Sequence, residues 1–226
     1  MVAQVPFDQG RYVVSELRRS TEPTNSARFT QEWDRSYTAL ARPYDLAVRL
    51  LPVWKTWIER AIPHIEGPRV LEVSFGTGYL MSQYAGSFET YGVDYNRAMV
   101  GTAQKNLLRA GRKAELIQGN VEDLPYPDGS FNSLVNTMGF SGYPSGLKAL
   151  TEMKRVLRND GKLILIDFSF PPDENWLGTR VAAFVERSGD VLRDMGTLFR
   201  ECELDFTDES IGAWNSVHLY VATKTA

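Results

Sequence analysis

The chain has 226 residues, 43% of them hydrophobic, and its 25 basic and 28 acidic side chains leave a net charge of −3. That length buries one α/β core with a modest cap, so a single domain is expected, and the charge balance supplies no general attraction to a phosphate backbone. Cys202 stands alone, which excludes an intrachain disulfide, and with neither a signal-peptide start nor the roughly 18 uninterrupted apolar residues of a membrane span, a cytoplasmic chain without a transmembrane segment is expected.

Residues 1–27 carry Pro6, Gly10, Pro23 and scattered Ser and Thr without sustained periodicity, which reads as an arm. Phe29, Trp33, Tyr37 and Leu40 then share one helical face, either as packed core or as a lid over a ligand, and Arg42-Pro43 interrupts the helix. A second helix sets Leu46, Leu50, Val53, Trp54, Trp57, Ile58 and Ala61 on one side, with Arg49, Lys55, Glu59 and Arg60 largely opposite. Pro52 either kinks it or marks its true start. His64, in the loop before the first strand, is expected at the surface or in a cap.

The stretch Val70-Leu71-Glu72-Val73-Ser74-Phe75-Gly76-Thr77-Gly78-Tyr79-Leu80 reads as a short buried strand that ends in a small-residue turn and hands over to a helix. In that arrangement backbone N–H groups at a helix N-terminus meet a polar ligand. Tyr91-Gly92-Val93-Asp94 reads as a second strand ending in an acid, where a carboxylate accepts both hydroxyls of a ribose. Strand and helix alternate from there, which implies a parallel sheet with right-handed crossovers. Strands are expected near 69–74, 89–94, 114–118, 132–137 and 162–168. Met99, Ala103 and Leu107 make one helix face, with Asn96 as N-cap and Gly111 as stop. Leu147, Leu150, Met153, Val156 and Leu157 make another, ended by Asn159-Asp160-Gly161.

Beyond Phe168, Pro171-Pro172 lead into two helical patterns, one carrying Leu177, Val181, Phe184 and Val185, the other Val191, Leu192, Met195, Leu198 and Phe199. Insertions at the carboxyl edge of a parallel sheet lie over the binding crevice, so part of this stretch is expected to cover an acceptor pocket. Strands near 202–207 and 216–223 close the chain, with His218 packed or bonded to a neutral partner.

The two strand ends, the Gly119-Asn120-Val121-Glu122-Asp123-Leu124-Pro125 segment and the run from Leu150 through Asn159-Asp160-Gly161-Lys162 to Ile166 resemble, in this order and spacing, class I S-adenosylmethionine (SAM)-dependent methyltransferases. The likeness is to the type 11, ubiquinone and menaquinone C-methyltransferase kind and its small-molecule relatives. It covers residues 66–168 well and the final hairpin more loosely. It implies an α/β three-layer sandwich around a seven-stranded, mostly parallel sheet with an antiparallel C-terminal hairpin. Residues 1–65 would be arm and lid helices, 66–168 the SAM-binding core, 169–200 a helical cap and 201–226 the hairpin.

The same resemblance implies a cofactor site. Glu72 takes the place of an acid near the methionine ammonium, and Gly76 and Gly78 let the backbone pass close to the cofactor. Ser74 stands where the family has its first glycine, and its hydroxyl either bonds the methionine end or crowds the turn. Asp94 would clasp the ribose, with Tyr95 and Met99 around adenine. Asn120 replaces an Asp that accepts from the adenine amino group, which its amide oxygen can also do without a charge. Val121 would add its N–H and an apolar contact, and Asn136 and Thr137 would line the methyl-transfer position.

An activated methyl carbon needs in-line approach, so positioning and desolvation supply much of the catalysis, and a base is needed only when the acceptor is protonated. Candidate bases are Tyr37, Tyr44, Asp45 and Tyr143. No His, Asp, Glu or Cys cluster has metal spacing, so a metal-independent reaction is expected. The expected function is methyl transfer from SAM, yielding S-adenosyl-L-homocysteine, to a small aromatic, quinone-like or lipidic acceptor. A noncatalytic SAM-binding or interaction protein is an alternative. A nucleic-acid methyltransferase is another, although Asn136-Thr137-Met138-Gly139-Phe140 lacks the Pro-Pro-aromatic motif of base amino-group enzymes. A nicotinamide dehydrogenase is disfavoured because Met81 replaces the third glycine of G-x-G-x-x-G.

Overall fold

The computed structural model describes residues 22–32, 34–35 and 52–225. Five parallel strands form the centre of the sheet: β1 (Arg69–Val73), β2 (Glu89–Asp94), β3 (Glu115–Gln118), β4 (Phe131–Thr137) and β5 (Leu157–Phe168). β7 (Val217–Lys224) pairs antiparallel with β5, and β6 (Leu204–Gly212) pairs with β7 at the edge. The seven strands run in the order β3-β2-β1-β4-β5-β7-β6. The order reverses at β1, between β2 and β4, and a ligand crevice is expected at the carboxyl end of such a reversal.

The helices are α1 (Pro52–Glu59), α2 (Tyr79–Tyr84), α3 (Arg97–Arg109), α4 (Gly146–Val156), α5 (Trp176–Arg187) and α6 (Met195–Glu201), with a further helical stretch at 26–32. Side chains alternate across a strand, so a strand covered on both faces feeds two cores at once. Leu163 and Leu165 enter one core with Leu150, Met153 and Phe199. Ile164 and Ile166 enter the other with Leu80, Met81 and Ala103. Each such side chain removed from water contributes about 1.5–3 kcal/mol, which is why the strands read as unbroken apolar runs.

The helix signals hold where a side chain satisfies the free N–H groups of a first turn. Asn96 caps α3 by accepting from Met99 N–H, and α1 starts at Pro52. Two expectations need correction. β5 begins at Leu157, because Leu157 already pairs with Phe131 and the register shifts before Ser133 meets Lys162, so the Asn159-Asp160-Gly161 turn is absorbed inside the strand as an irregularity with Asp160 at φ 62°. Leu147 and Phe184 face solvent, at 43% and 69% exposure, because Ala149 and the small residues Gly178 and Ala182 make the contacts instead. His218 is packed and its Nε2 meets the neutral Asn215 carbonyl at 3.0 Å, as expected, but its Nδ1 also lies 2.6 Å from the Asp208 carboxylate, a charged partner the sequence did not suggest. Burial alone would lower its pKa, but the Asp208 hydrogen bond and charge raise it. Among the described residues no helix is long and apolar enough to cross a membrane.

Candidate functional site

A cavity opens at the carboxyl ends of β1, β2 and β4. Its lining includes Glu72, Ser74, Gly76, Asp94, Tyr95, Met99, Asn120, Val121, Thr137 and Tyr143. Two sequence-predicted residues act from behind the wall. Gly78 caps α2 at φ 72°, and a Cβ there would lie 2.9 Å from Ala103 Cβ, so it lets α2 and α3 close together. Asn136 is fully buried and supports Tyr143. Tyr37, Tyr44 and Asp45 lie outside the described residues, as do the Trp33, Tyr37 and Leu40 positions of the first helical face.

The nucleoside half is organised by Asp94. Its Oδ2 accepts from Gly76 N–H at 2.9 Å and its Oδ1 from Asn96 N–H at 2.9 Å, so one carboxylate ties the β1 turn to the start of α3. Each oxygen keeps a lone pair for a ligand hydroxyl. Burial lifts this carboxyl to about 6, opposed by those two hydrogen bonds. Gly76 sits at φ 55° with nothing within 4 Å of where a Cβ would stand, which leaves open space beside the carboxylate. Asn120 spends one lone pair of its side-chain oxygen on Glu122 N–H, at 3.0 Å, and offers the other. The loop bearing Asn120 and Val121 is held to α4 by Arg155, which donates to the carbonyls of Leu124 and Tyr126 and to Glu152.

At the other half, Glu72 is 1% exposed and accepts from the Tyr84 hydroxyl at 2.6 Å. Burial raises its carboxyl to about 8, with the Asp94 charge adding to the rise and the Tyr84 bond opposing it. Ser74 is at φ 52°, a left-handed conformation that costs a non-glycine residue roughly 1–2 kcal/mol, and its Oγ lies 2.7 Å from the Tyr143 hydroxyl. Tyr143 is buried, and burial drives its phenol well above the ordinary range. A phenol held that firmly protonated is poorly suited to act as a base.

Sequence reasoning missed Asp190 and Asp34. Asp190 lines the cavity from the loop after α5, and Ser141 Oγ donates to it at 2.8 Å. Ser141 also meets the buried Asp167 with its N–H, at 2.8 Å, and burial raises both acids, Asp167 to about 6. Arg193 fastens that loop by donating to the carbonyls of Phe140, Tyr143 and Val191. Asp34 lines the cavity beside Thr30, and Asn96 Nδ2 donates to its carboxylate at 2.8 Å. An isolated acid outside the alternating strand–helix core carries no spacing signal, and only the fold brings it to the cavity. Trp54, Ile58, Phe75, Leu80 and Met138 complete an apolar wall.

Residues 71–165 match the family described as a methyltransferase domain. A ubiquinone/menaquinone biosynthesis C-methyltransferase UbiE from Citrifermentans bemidjiense is 32% identical over 147 residues, which span 60% of this chain and 62% of that protein. A demethylmenaquinone methyltransferase from Thermus thermophilus is 31% identical over 144 residues, spanning 60% of this chain and 66% of the relative. The chain thus spans less than two thirds of the length of these relatives. Among solved structures, the [4+2]-cyclase SpnF matches with a TM-score of 0.68 at 16% identity, over 92% of this chain and all of that one (100%). A SAM-dependent methyltransferase from Thermotoga maritima matches with a TM-score of 0.65 at 17% identity, over 84% of this chain and 100% of that one. At such identities the structural matches establish the class I methyltransferase fold and nothing finer.

Proposed function

We propose that this chain, which carries a methyltransferase domain at residues 71–165 on the class I fold, transfers a methyl group from SAM to a small aromatic acceptor of the quinol type. The observation that carries the reading is Asp94, a buried carboxylate at the end of β2 that lines the cavity with a lone pair free on each oxygen and an unfilled cradle at Gly76 beside it. The residues present fit the cofactor: Asp94 would hold the ribose, Asn120 and Val121 the adenine edge, Met99 and Tyr95 its faces, and Glu72 the ammonium.

Bound SAM supplies a methyl carbon made electrophilic by its sulfonium. The chain's own contribution is to bind, orient and exclude water. The wall of Trp54, Ile58, Phe75, Leu80 and Met138 suits a flat apolar acceptor, in keeping with the quinone-related names of the relatives. Where the acceptor carries a hydroxyl, Asp190 is the carboxylate placed to take its proton as the ring carbon attacks. Positioning then supplies most of the rate, by in-line displacement without a metal.

Calorimetry of SAM and S-adenosylhomocysteine on wild type and Asp94→Ala tests the cofactor reading, with micromolar binding expected for wild type and none for the variant. Turnover on a 1,4-naphthohydroquinone, followed by product mass, tests the acceptor. SAM binding without turnover on any quinol would keep the cofactor and remove the quinol.

A further inference from the structure

The buried Asn136 and Tyr143 and the half-buried Ser74 of the β1 turn form a chain of hydrogen bonds whose direction can be worked out. Asn136 Nδ2 lies 3.2 Å from the Val73 carbonyl, which can only accept, so the amide nitrogen must be on that side. The same nitrogen lies 2.8 Å from the Tyr143 hydroxyl, which therefore accepts. Tyr143 must pass its own proton on, and Ser74 Oγ at 2.7 Å is the acceptor within reach. With Tyr143 donating to it, Ser74 keeps its proton for the cavity that it lines.

The backbone reinforces this aim. Ser74 is held at φ 52° with its N–H bonded to the Val93 carbonyl at 2.8 Å. Across from it Gly139 has no side chain, and a Cβ there would meet Ser74 Cβ at 2.9 Å, so the space belongs to the serine. Two residues earlier the Glu72 carboxyl lines the same cavity. An acid and a hydroxyl donor that line one cavity two residues apart on the chain match the ammonium and the carboxylate of one α-amino acid. Tyr143 stays protonated at any working pH, so the relay never presents an anion to that carboxylate.

We propose that Ser74 is a specificity-determining donor, its hydroxyl ordered by Asn136 and Tyr143 to bond the carboxylate of the cofactor's amino-acid tail. This rests on the SAM reading. The serine is then a gain of a hydrogen bond at a turn position that glycine would leave bare, and Tyr143 is a positioning residue that acts through it.

The test is calorimetry with two probes, SAM and decarboxylated SAM, which differ by that carboxylate. Ser74→Ala and Ser74→Gly should each weaken SAM about tenfold or more and leave decarboxylated SAM within about twofold. Ser74→Gly also relieves the left-handed strain, so it gives the answer even if the alanine variant folds poorly. Tyr143→Phe should weaken SAM by a smaller factor, about threefold, because the serine proton loses its fixed direction. Unchanged SAM affinity in both serine variants overturns the proposal. So does an equal loss for both probes, which would mean a damaged cavity rather than a lost contact. A wild type that binds neither probe overturns the cofactor reading itself, an outcome distinct from both.

Discussion

The hydroxyl of Tyr84 donates to the buried carboxyl of Glu72 across 2.6 Å, at the wall of the cavity. Burial nevertheless raises Glu72 to about 8, so near neutral pH the carboxyl is largely protonated until a cation arrives.

Stability should therefore fall with pH in a way that Glu72 controls. The folded pKa lies above the unfolded value, so this group's contribution is fully present below about 4.5 and is lost as pH rises through about 8. Glu72→Gln should melt higher than wild type at pH 9, by a few kcal/mol of stability, and much like it at pH 5. Parallel melting curves for the two proteins across pH 5–9 would contradict this.

Cofactor binding should release a proton from the same residue. An ammonium beside Glu72 favours the carboxylate, so calorimetry at pH 7 in two buffers of different ionisation enthalpy should give different apparent enthalpies. Glu72→Gln should abolish the difference and weaken SAM.

Asp94 should impose an opposite limb at lower pH. Its carboxyl titrates near 6, and the ribose clasp needs the ionised form, so affinity for S-adenosylhomocysteine should drop as pH falls from 7 to 5. Asp94→Asn keeps one acceptor of two and should flatten that limb at a weaker plateau. It should also cost about 1–3 kcal/mol of stability, since one of the two backbone N–H groups of Gly76 and Asn96 loses its partner.

Arg193 is a clamp whose loss should be felt in both stability and binding. Its side chain is 6% exposed and it donates to carbonyls of Phe140, Tyr143 and Val191. Arg193→Ala leaves those acceptors without it and should cost about 2–4 kcal/mol by urea denaturation, with faster hydrogen exchange at residues 140–144. Lysine, which lacks the fork, should restore only part of the loss.

The sequence made the nucleoside half legible and the acceptor half opaque for a physical reason. Asp94, Gly76 and Asn96 act through backbone turns between adjacent elements, so strand ends and cap residues place them within a residue or two. Tyr143 could be named but not assigned, because its role depends on Asn136 and Ser74, which the fold alone brings beside it. Asp190 and Arg193 sit in an insertion whose apolar spacing misled for Phe184, where small residues rather than large ones make the contact. The Asn159-Asp160-Gly161 turn, read as a helix stop, is taken into β5 because pairing with β4 starts earlier than the apolar run.

The sheet order β3-β2-β1-β4-β5-β7-β6 divides the cavity along the line between β1 and β4. One side is assembled by a continuous stretch of chain, whereas the other draws on the segments after β4 and after α5, joined chiefly through Arg193 and Ser141. Exchanging those two segments as a matched pair should therefore leave the nucleoside half intact. Swapping either one alone should break the Arg193 contacts to the Phe140 and Tyr143 carbonyls and the Ser141–Asp190 bond, so a graft meant to change the acceptor should carry both pieces.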